Sequence, residues 1–573
     1  MKDYSEWESI PDYDNDSPFL ESKDRPWLKL RPDYIPKTVK YEPIPVHECI
    51  KLSASKYPNN VCVYYKPTDK KYTYREMIYI SDKIANALYK EGIKKGDAVG
   101  IMTANCPEFL FCCVGIMATG AAAVPINPLL KEEDVVHIIS DAANINTVFV
   151  HKTLFRTIKK VRKKISVKNV ILLQAEEAKP ETITLEEFID GKEPKAPDIE
   201  IDPMNDLAAL LYTGGTTGLP KGVMLTHNNL ISNAICTIQS GRETREDNPE
   251  DYGTRVSLLL LPICHSFGFQ VLIISSIMAA MLVMFSSFNP SEVLEAIEYY
   301  KTESFTGVPV MYQMLVNSPD FPKRDLSSLE GATSGSATLP QEINRKWEEV
   351  VGFKVGQGFG LTEASPITHG QIKWLPEIIP NSIGIPIVDT DAKIVNPDTL
   401  EELPIGEVGE LLIKGPQIMK GYWKNPEATA KTFVGDWLRT GDLTRMDERG
   451  YFYIEGRTKD MIKYKGYKVM PKEVEEKLHE HPAVLEVGVV SAPDPNIGET
   501  IKAYIALKPD YKDKVTEQEI IEWSKDKLAG YKYPRIIEFI NVLPRTAVGK
   551  IFRRKLRERA EEEGEKYIPS TPS

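Results

Sequence analysis

From about Tyr41 to Val310, short apolar segments alternate with amphipathic ones, and that rhythm restricts the chain to few architectures. YTYREMIYISDKIANALYKEG (72–92) spaces its apolar residues as a helix does and stops at Gly92. DAVGIMTAN (97–105) reads as a strand, CPEFLFCCVGIMATG (106–120) as a helix, and AAAVPIN (121–127) and NTVFVHK (146–152) as buried strands. Strands apolar on both faces must be covered on both faces, so repeated strand–helix–strand units predict an α/β chain with doubly wound parallel sheets. Ligands on such sheets sit beyond the carboxyl ends of the strands.

After about Gly370 the texture changes. Pro, Gly and Asp punctuate short runs such as DAKIV, GELLIKG and GYFYIEG, which predicts a small antiparallel β subdomain over about 371–457. Beyond Arg457 come helix KEVEEKLHEH, strands VLEVGVVSA and TIKAYIALK, and helix TEQEIIEWSKDKL, a compact α+β module. The end, FRRKLRERAEEEGEK, is helix-prone and is expected to be a solvated face.

The most informative loop lies in LAALLYTGGTTGLPKGVMLTH, residues 207–227. A buried strand runs into Thr213, Gly214, Gly215, Thr216, Thr217 and Gly218, followed by Pro220, Lys221 and Gly222. Glycines let successive N–H groups converge on an anion, threonines add hydroxyl donors, and Lys221 adds charge. A polyphosphate needs that combination. Pro220 before the lysine and Gly222 after it exclude a Walker A loop, which puts Gly before the lysine and a magnesium-binding Ser or Thr after it.

Composition narrows the field. The 573 residues suffice for several domains, and 82 acidic against 71 basic residues leave a net charge of -11. That balance argues against a general nucleic-acid binder. Seven cysteines without a C-x-x-C pair fit reduced thiols in a cytoplasmic protein. The N-terminus lacks the basic and apolar regions of a secretory signal. Its Asp12, Asp14 and Asp16 alternate as in a calcium loop, but Ser17 and Lys23 stand where Gly and Glu are needed, so residues 1–40 read as an acidic, flexible extension. Val256–Ser291 contains no charged residue, yet His265, Ser266 and Gln270 interrupt its start and no basic cluster flanks it. Buried helix-then-strand units account for it without a membrane span.

YTGGTTGLPKG resembles the signature of the AMP-forming adenylate-forming superfamily, which comprises acyl- and aryl-CoA synthetases, nonribosomal adenylation domains and beetle luciferases. Gly214 stands where that signature usually has Ser or Thr. Further motifs follow in the family's order. The resemblance implies that His265, in LPICHSFGF (261–269), lies beside the substrate carboxylate. It places Gly335, Ser336 and Ala337, in SGSATLP (334–340), under the adenosine. In GQGFGLTEASP (356–366) it gives Gly358, Phe359 and Gly360 to the nucleotide, Thr362 to the α-phosphate and Glu363 to Mg²⁺, with Thr213 as a second metal contact. Asp442 of WLRTGDL would hold the ribose and Arg457 would reach the nucleotide. Lys459 occupies the hinge. Lys465, Gly466 and Tyr467 would line the CoA channel, while Lys468 stands where many relatives carry Gln. Lys550, in LPRTAVGKIFRRKL, would be the catalytic lysine.

The family fold implied is a large N-terminal domain (41–457) of doubly wound sheets with a small distorted β-barrel, and a mobile C-terminal domain (458–573). Its reaction activates a carboxylic acid with ATP and Mg²⁺, releases pyrophosphate, and passes the acyl group to CoA. PWLKLRPDYIPKTV and GYKYPRIIEFINVLPRTAVGKI resemble prokaryotic fatty acyl-CoA synthetases. An acyl pocket of His265, Gly268, Phe269, Val308, Gly335, Gly358 and Ala364 offers no charge partner for a second carboxylate, which favours a medium- to long-chain fatty acid. A short-chain, hydroxy or aromatic acid, or adenylation without CoA, is the alternative. Partners are small molecules, and peripheral membrane contact and a homodimer are compatible with the sequence.

Overall fold

The structure, a computed structural model, describes residues 10–22, 24–213, 219–244, 253–545 and 551–566. The chain divides into two compact units, residues 1–392 with 413–438, and residues 393–412 with 439–573.

The first unit is built on two large sheets, as the alternating pattern predicts. One is eight-stranded and mostly parallel, with Ala98–Met102, Ala122–Ile126, Thr147–His151 and Asn169–Leu173 among its neighbours. Its far side turns antiparallel, where Leu207–Thr213 pairs with Lys221–Thr226 and that strand with Gly421–Tyr422. In the other sheet Val61–Tyr65, Met281–Met284, Val256–Leu259, Ser304–Gly307, Gly331–Ser334 and Gly356–Gly360 run parallel in that spatial order. Helices lie on the sheets and meet one another: Tyr74–Lys90 packs on Pro107–Met117, and His227–Ser240 on Ser266–Ile277.

The helix Ser266–Ile277 accounts for the uncharged run. It has 12 residues, is followed by the strand Met281–Met284, and is enclosed by neighbouring elements. Among the described residues no helix is long and apolar enough to cross a membrane. All seven cysteines are free, and all but the half-buried Cys264 are buried.

The flexible N-terminal tail expected from the acidic sequence does not hold from Ile10 onward. Ile10–Asp12 pairs with Thr38–Lys40, and between them Trp27 is completely buried. Ser17 Oγ and the Val39 N–H donate to the buried carboxylate of Asp389 at 2.5 and 3.0 Å. Arg25 meets Asp391 at 3.0 Å, and Arg31 donates to the carbonyls of Pro386 and Ile387, each at 3.0 Å. Asp12 accepts from Asn15 and pairs with Lys40, so the first of the alternating aspartates closes a local turn. Composition alone hid this because one tryptophan and two arginines outweigh the acidic average.

In the second unit, Val484–Asp494 pairs antiparallel with Gly498–Leu507, and Ile536–Phe539 joins in parallel. Helices Pro471–His479 and Glu517–Lys525 contribute to one core, which contains Val474, Leu478, Val489, Ile505 and Ile520. Helix Arg553–Lys566 corrects a second expectation. It packs on Val484–Asp494, with Leu556 and Ala560 buried beside Val490 and Tyr504. Two of its arginines also turn inward, Arg553 to the buried Glu475 and Arg557 to Asp460 at 2.8 Å.

Trp27→Ala should cost about 3–5 kcal/mol, the usual loss for emptying a large aromatic site. The check is thermal unfolding, where the apparent midpoint should fall by several degrees. An unchanged midpoint would mean that the segment is not a structural part of the first unit.

Candidate active site

In the first unit the proposed phosphate loop springs from a hairpin. Thr213 and Lys221 face each other across its two strands. Gly214, Gly215, Thr216, Thr217 and Gly218 lie outside the described residues. Around the loop's base, His137 Nε2 is 2.9 Å from the Pro220 carbonyl, and the Tyr212 hydroxyl donates to Asp141 at 2.7 Å. A third strand, Gly421–Tyr422, lies against the second. There the Lys221 ammonium sits 5.1 Å from the centre of the Tyr422 ring.

The other expected residues of this unit follow the parallel strands. The turn after Gly356–Gly360 carries Thr362 and Glu363. Thr362 Oγ1 is 3.1 Å from Ser266 Oγ at the start of the helix that His265 immediately precedes. The Tyr422 hydroxyl donates to Glu363 Oε1 at 2.8 Å, and the Met419 N–H donates to the Glu363 carbonyl at 2.9 Å. Burial, and then the charge of Glu363, hold the Tyr422 phenol well above its ordinary pKa, so it remains a donor.

His265 Nε2 accepts from the Asn127 amide at 3.1 Å. Burial pushes its pKa below the usual histidine range, so the ring is neutral near pH 7 and keeps its Nδ1 proton for donation. Asn127 follows Ala122–Ile126 in the other sheet, and nothing local in the sequence ties it to His265.

Gly335, Ser336 and Ala337 follow Gly331–Ser334. Ser336 has a φ of 73°, an unusual conformation for a residue with a side chain and one concentrated at functional loops. The Gly335 N–H donates to the Gly307 carbonyl at 3.1 Å, and the Leu339 N–H to Gln357 at 2.9 Å, tying this loop to the strands on either side.

The expected acyl pocket is brought together only in part. Phe267 is the ring beside Gly335, where an added β-carbon would come within 2.7 Å of it. Phe269 is fully buried and meets Phe109 edge-on, with centroids 6.2 Å apart. A β-carbon at Gly268 would lie 2.4 Å from the Pro262 carbonyl oxygen, so this glycine serves the close approach of helix and loop. Ala364 is buried, and Val308 is buried at the start of Pro309–Val316. Gly358 and Gly360 lie on the strand itself, and Phe359 between them packs its ring against His369 at 5.9 Å.

The second unit holds the remaining expected residues. Asp442 is buried and faces Arg457 across an antiparallel pair, with a 2.9 Å ion pair between them. Thr440 Oγ1 accepts from the Asp442 N–H at 3.0 Å, and the Thr458 N–H donates to the Gly441 carbonyl at 3.0 Å. Lys459 follows on the exposed chain. Lys465 and Gly466 form the two-residue turn between Ile462–Tyr464 and Tyr467–Val469, both in the left-handed region at φ 50° and 84°. Tyr467 is exposed and stacks on Tyr531 at 4.5 Å, while Lys468 pairs with Asp398 at 3.4 Å. Lys550 lies outside the described residues; Arg545 and Ile551, which flank it, are joined by an antiparallel bridge.

Among the described residues no group of three or more His, Cys, Asp or Glu is placed to hold a metal. Glu363 offers one carboxylate oxygen beyond the one engaged by Tyr422. That donor set fits Mg²⁺, which takes one or two protein carboxylates and draws its other oxygens from substrate phosphates and water.

Residues 50–423 match the AMP-binding enzyme family, and residues 473–550 match the AMP-binding enzyme C-terminal domain. A long-chain-fatty-acid–CoA ligase of Bacillus subtilis (strain 168) is 35% identical over 559 residues, spanning 93% of this chain and 98% of that protein. 4-coumarate–CoA ligase 1 of Solanum tuberosum is 32% identical over 543 residues, spanning 93% and 96%. Among solved structures, ATP-bound MatB from Rhodopseudomonas palustris is similar with a TM-score of 0.81 at 27% identity, covering 91% of this chain and 100% of that one. With a family match that covers most of the chain and these full-length relatives, the protein belongs to the AMP-binding enzyme family of adenylate-forming enzymes.

Proposed function

We propose that the protein is an AMP-forming acyl-CoA ligase whose acid is a medium- to long-chain fatty acid. A carboxylate acylates poorly because its leaving group would be oxide. In the first step a carboxylate oxygen bonds to the α-phosphorus of ATP while the α–β phosphoanhydride breaks and pyrophosphate leaves. In the second, the CoA sulfur bonds to the acyl carbon, the acyl–phosphate bond breaks, and AMP leaves as the thiol proton is lost.

The observation that carries this reading is the clustering around Glu363. The hydroxyl of Tyr422 holds that carboxylate, and the ring of the same residue faces the lysine of the hairpin. Thr213–Gly218 and Lys221 would grip the β- and γ-phosphates. Thr362 would donate to the α-phosphate, and Glu363 would hold Mg²⁺, which supplies charge neutralisation when an anion approaches a polyanion. Neutral His265, oriented by Asn127, would lie beside the acid's carboxylate. Asp442 would accept from the ribose hydroxyls, with Arg457 close by. Lys550 would bridge the carboxylate and the α-phosphate, and rotation at Lys459 would then exchange it for the Lys465–Gly466 turn on the CoA side.

For the acid, full-length similarity to a long-chain ligase supports a fatty substrate. Similarity to a 4-coumarate ligase of nearly equal extent favours an aromatic acid as the second reading.

Three measurements follow. With C4, C12 and C16 acids and 4-coumarate, pyrophosphate release and CoA thioester should both be fastest for C12 or C16; best turnover with 4-coumarate or C4 would overturn the chain-length assignment. Lys550→Ala should slow adenylation by about 10²–10³-fold, the usual loss for one such electrostatic group; an unchanged rate would remove Lys550 from the chemistry. Lys459→Pro should spare pyrophosphate release and impair thioester formation, whereas equal loss of both would contradict the hinge.

A further inference from the structure

Tyr422 stands between two groups to which the proposed reaction gives opposite charges and separate tasks. Its strand lies antiparallel to Lys221–Thr226, with Tyr422 opposite Val223. Residues directly opposite in a sheet share a face, and so do residues two apart on one strand, so Tyr422, Val223 and Lys221 are all on one side. The aromatic ring thus lies under the Lys221 ammonium at 5.1 Å from its centre, within cation–π range. The hydroxyl reaches the other way, to Glu363 Oε1 at 2.8 Å, 59 residues away in sequence.

The tyrosine is itself held firmly. Its N–H donates to Thr429 Oγ1 at 2.9 Å, and the Trp423 N–H donates to the Gly222 carbonyl at 2.8 Å, next to Lys221. Glu363 is fixed at its main chain by Met419, but its carboxylate has only the Tyr422 hydroxyl as a donor among the described residues. One oxygen is therefore oriented by the protein and the other is left for a ligand.

We propose that Tyr422 is a positioning residue for both groups: its hydroxyl sets the Glu363 carboxylate to receive a divalent cation carried in with a nucleoside triphosphate, and its ring seats Lys221. This rests on the reading of the site given above. A hydrogen-bonding partner of a metal-binding carboxylate changes metal affinity or activity by about 10–100-fold when removed. The ring contact is separable, because phenylalanine keeps it and leucine does not.

The test uses the full-length protein with ATP and no acid, so that no turnover occurs, and titrates Mn²⁺ while following the electron paramagnetic resonance signal of the free ion. Tyr422→Phe should weaken Mn²⁺ in the ternary complex by about 10–100-fold, while ATP affinity at saturating metal stays close to that of the wild type. Tyr422→Leu should weaken both. In a Glu363→Gln background Tyr422→Phe should add little, because the pair acts as one unit. Pyrophosphate release by Tyr422→Phe should then need more Mg²⁺ but recover most of its rate at saturation.

Unchanged Mn²⁺ affinity in Tyr422→Phe would overturn the proposal, as would an undiminished loss in the Glu363→Gln background. A loss matched by a lowered melting temperature would assign the hydroxyl to the fold and also overturn it. If Tyr422→Leu fails to fold, Tyr422→Phe decides alone. A wild-type protein that binds no Mn²⁺ with ATP would instead refute the reading of the site itself.

Discussion

Parallel pairing of neighbouring strands is the constraint on which the first unit's candidate site depends. Because Val256–Leu259, Ser304–Gly307, Gly331–Ser334 and Gly356–Gly360 run the same way, the segments that follow them emerge at one edge of the sheet. His265, Gly335 and Thr362 belong to three such segments, widely separated in sequence. The hairpin of the other sheet adds Lys221, and Tyr422 links it to Glu363. Parallel sheets must be covered on both faces, which explains why so much of this unit is apolar and why its inner helices are enclosed.

Polar groups here are placed by partners rather than by exposure. A half-buried histidine is kept neutral by desolvation and oriented by an asparagine from the other sheet. A buried aspartate of the second unit is paired with the arginine opposite it. Each arrangement limits how a side chain can meet a ligand, so little reorganisation is needed when charge develops.

Much of this is legible in the sequence because it is local. The strand–helix rhythm, the Gly/Thr sequence and each motif taken by itself depend on residues within about a dozen positions of one another. What is not legible is tertiary. Tyr422 meets Glu363 across 59 residues and Asn127 meets His265 across 138, with no periodicity to announce either contact. Phe267 and Phe269 are two apart on one helix, and only packing decides that the first lies beside Gly335 and the second against Phe109. The docked N-terminal segment and the half-buried last helix are missed for a related reason: average charge describes the outer face and says nothing of Trp27, Leu556 or Ala560 beneath it.

The central claim is that activation passes through an acyl-adenylate made before CoA takes part. Isotope exchange between labelled pyrophosphate and ATP, with CoA omitted, tests it most directly. The account predicts exchange that begins only when a fatty acid is added. Exchange without acid, an absolute need for CoA, or formation of ADP and phosphate in place of AMP would contradict it.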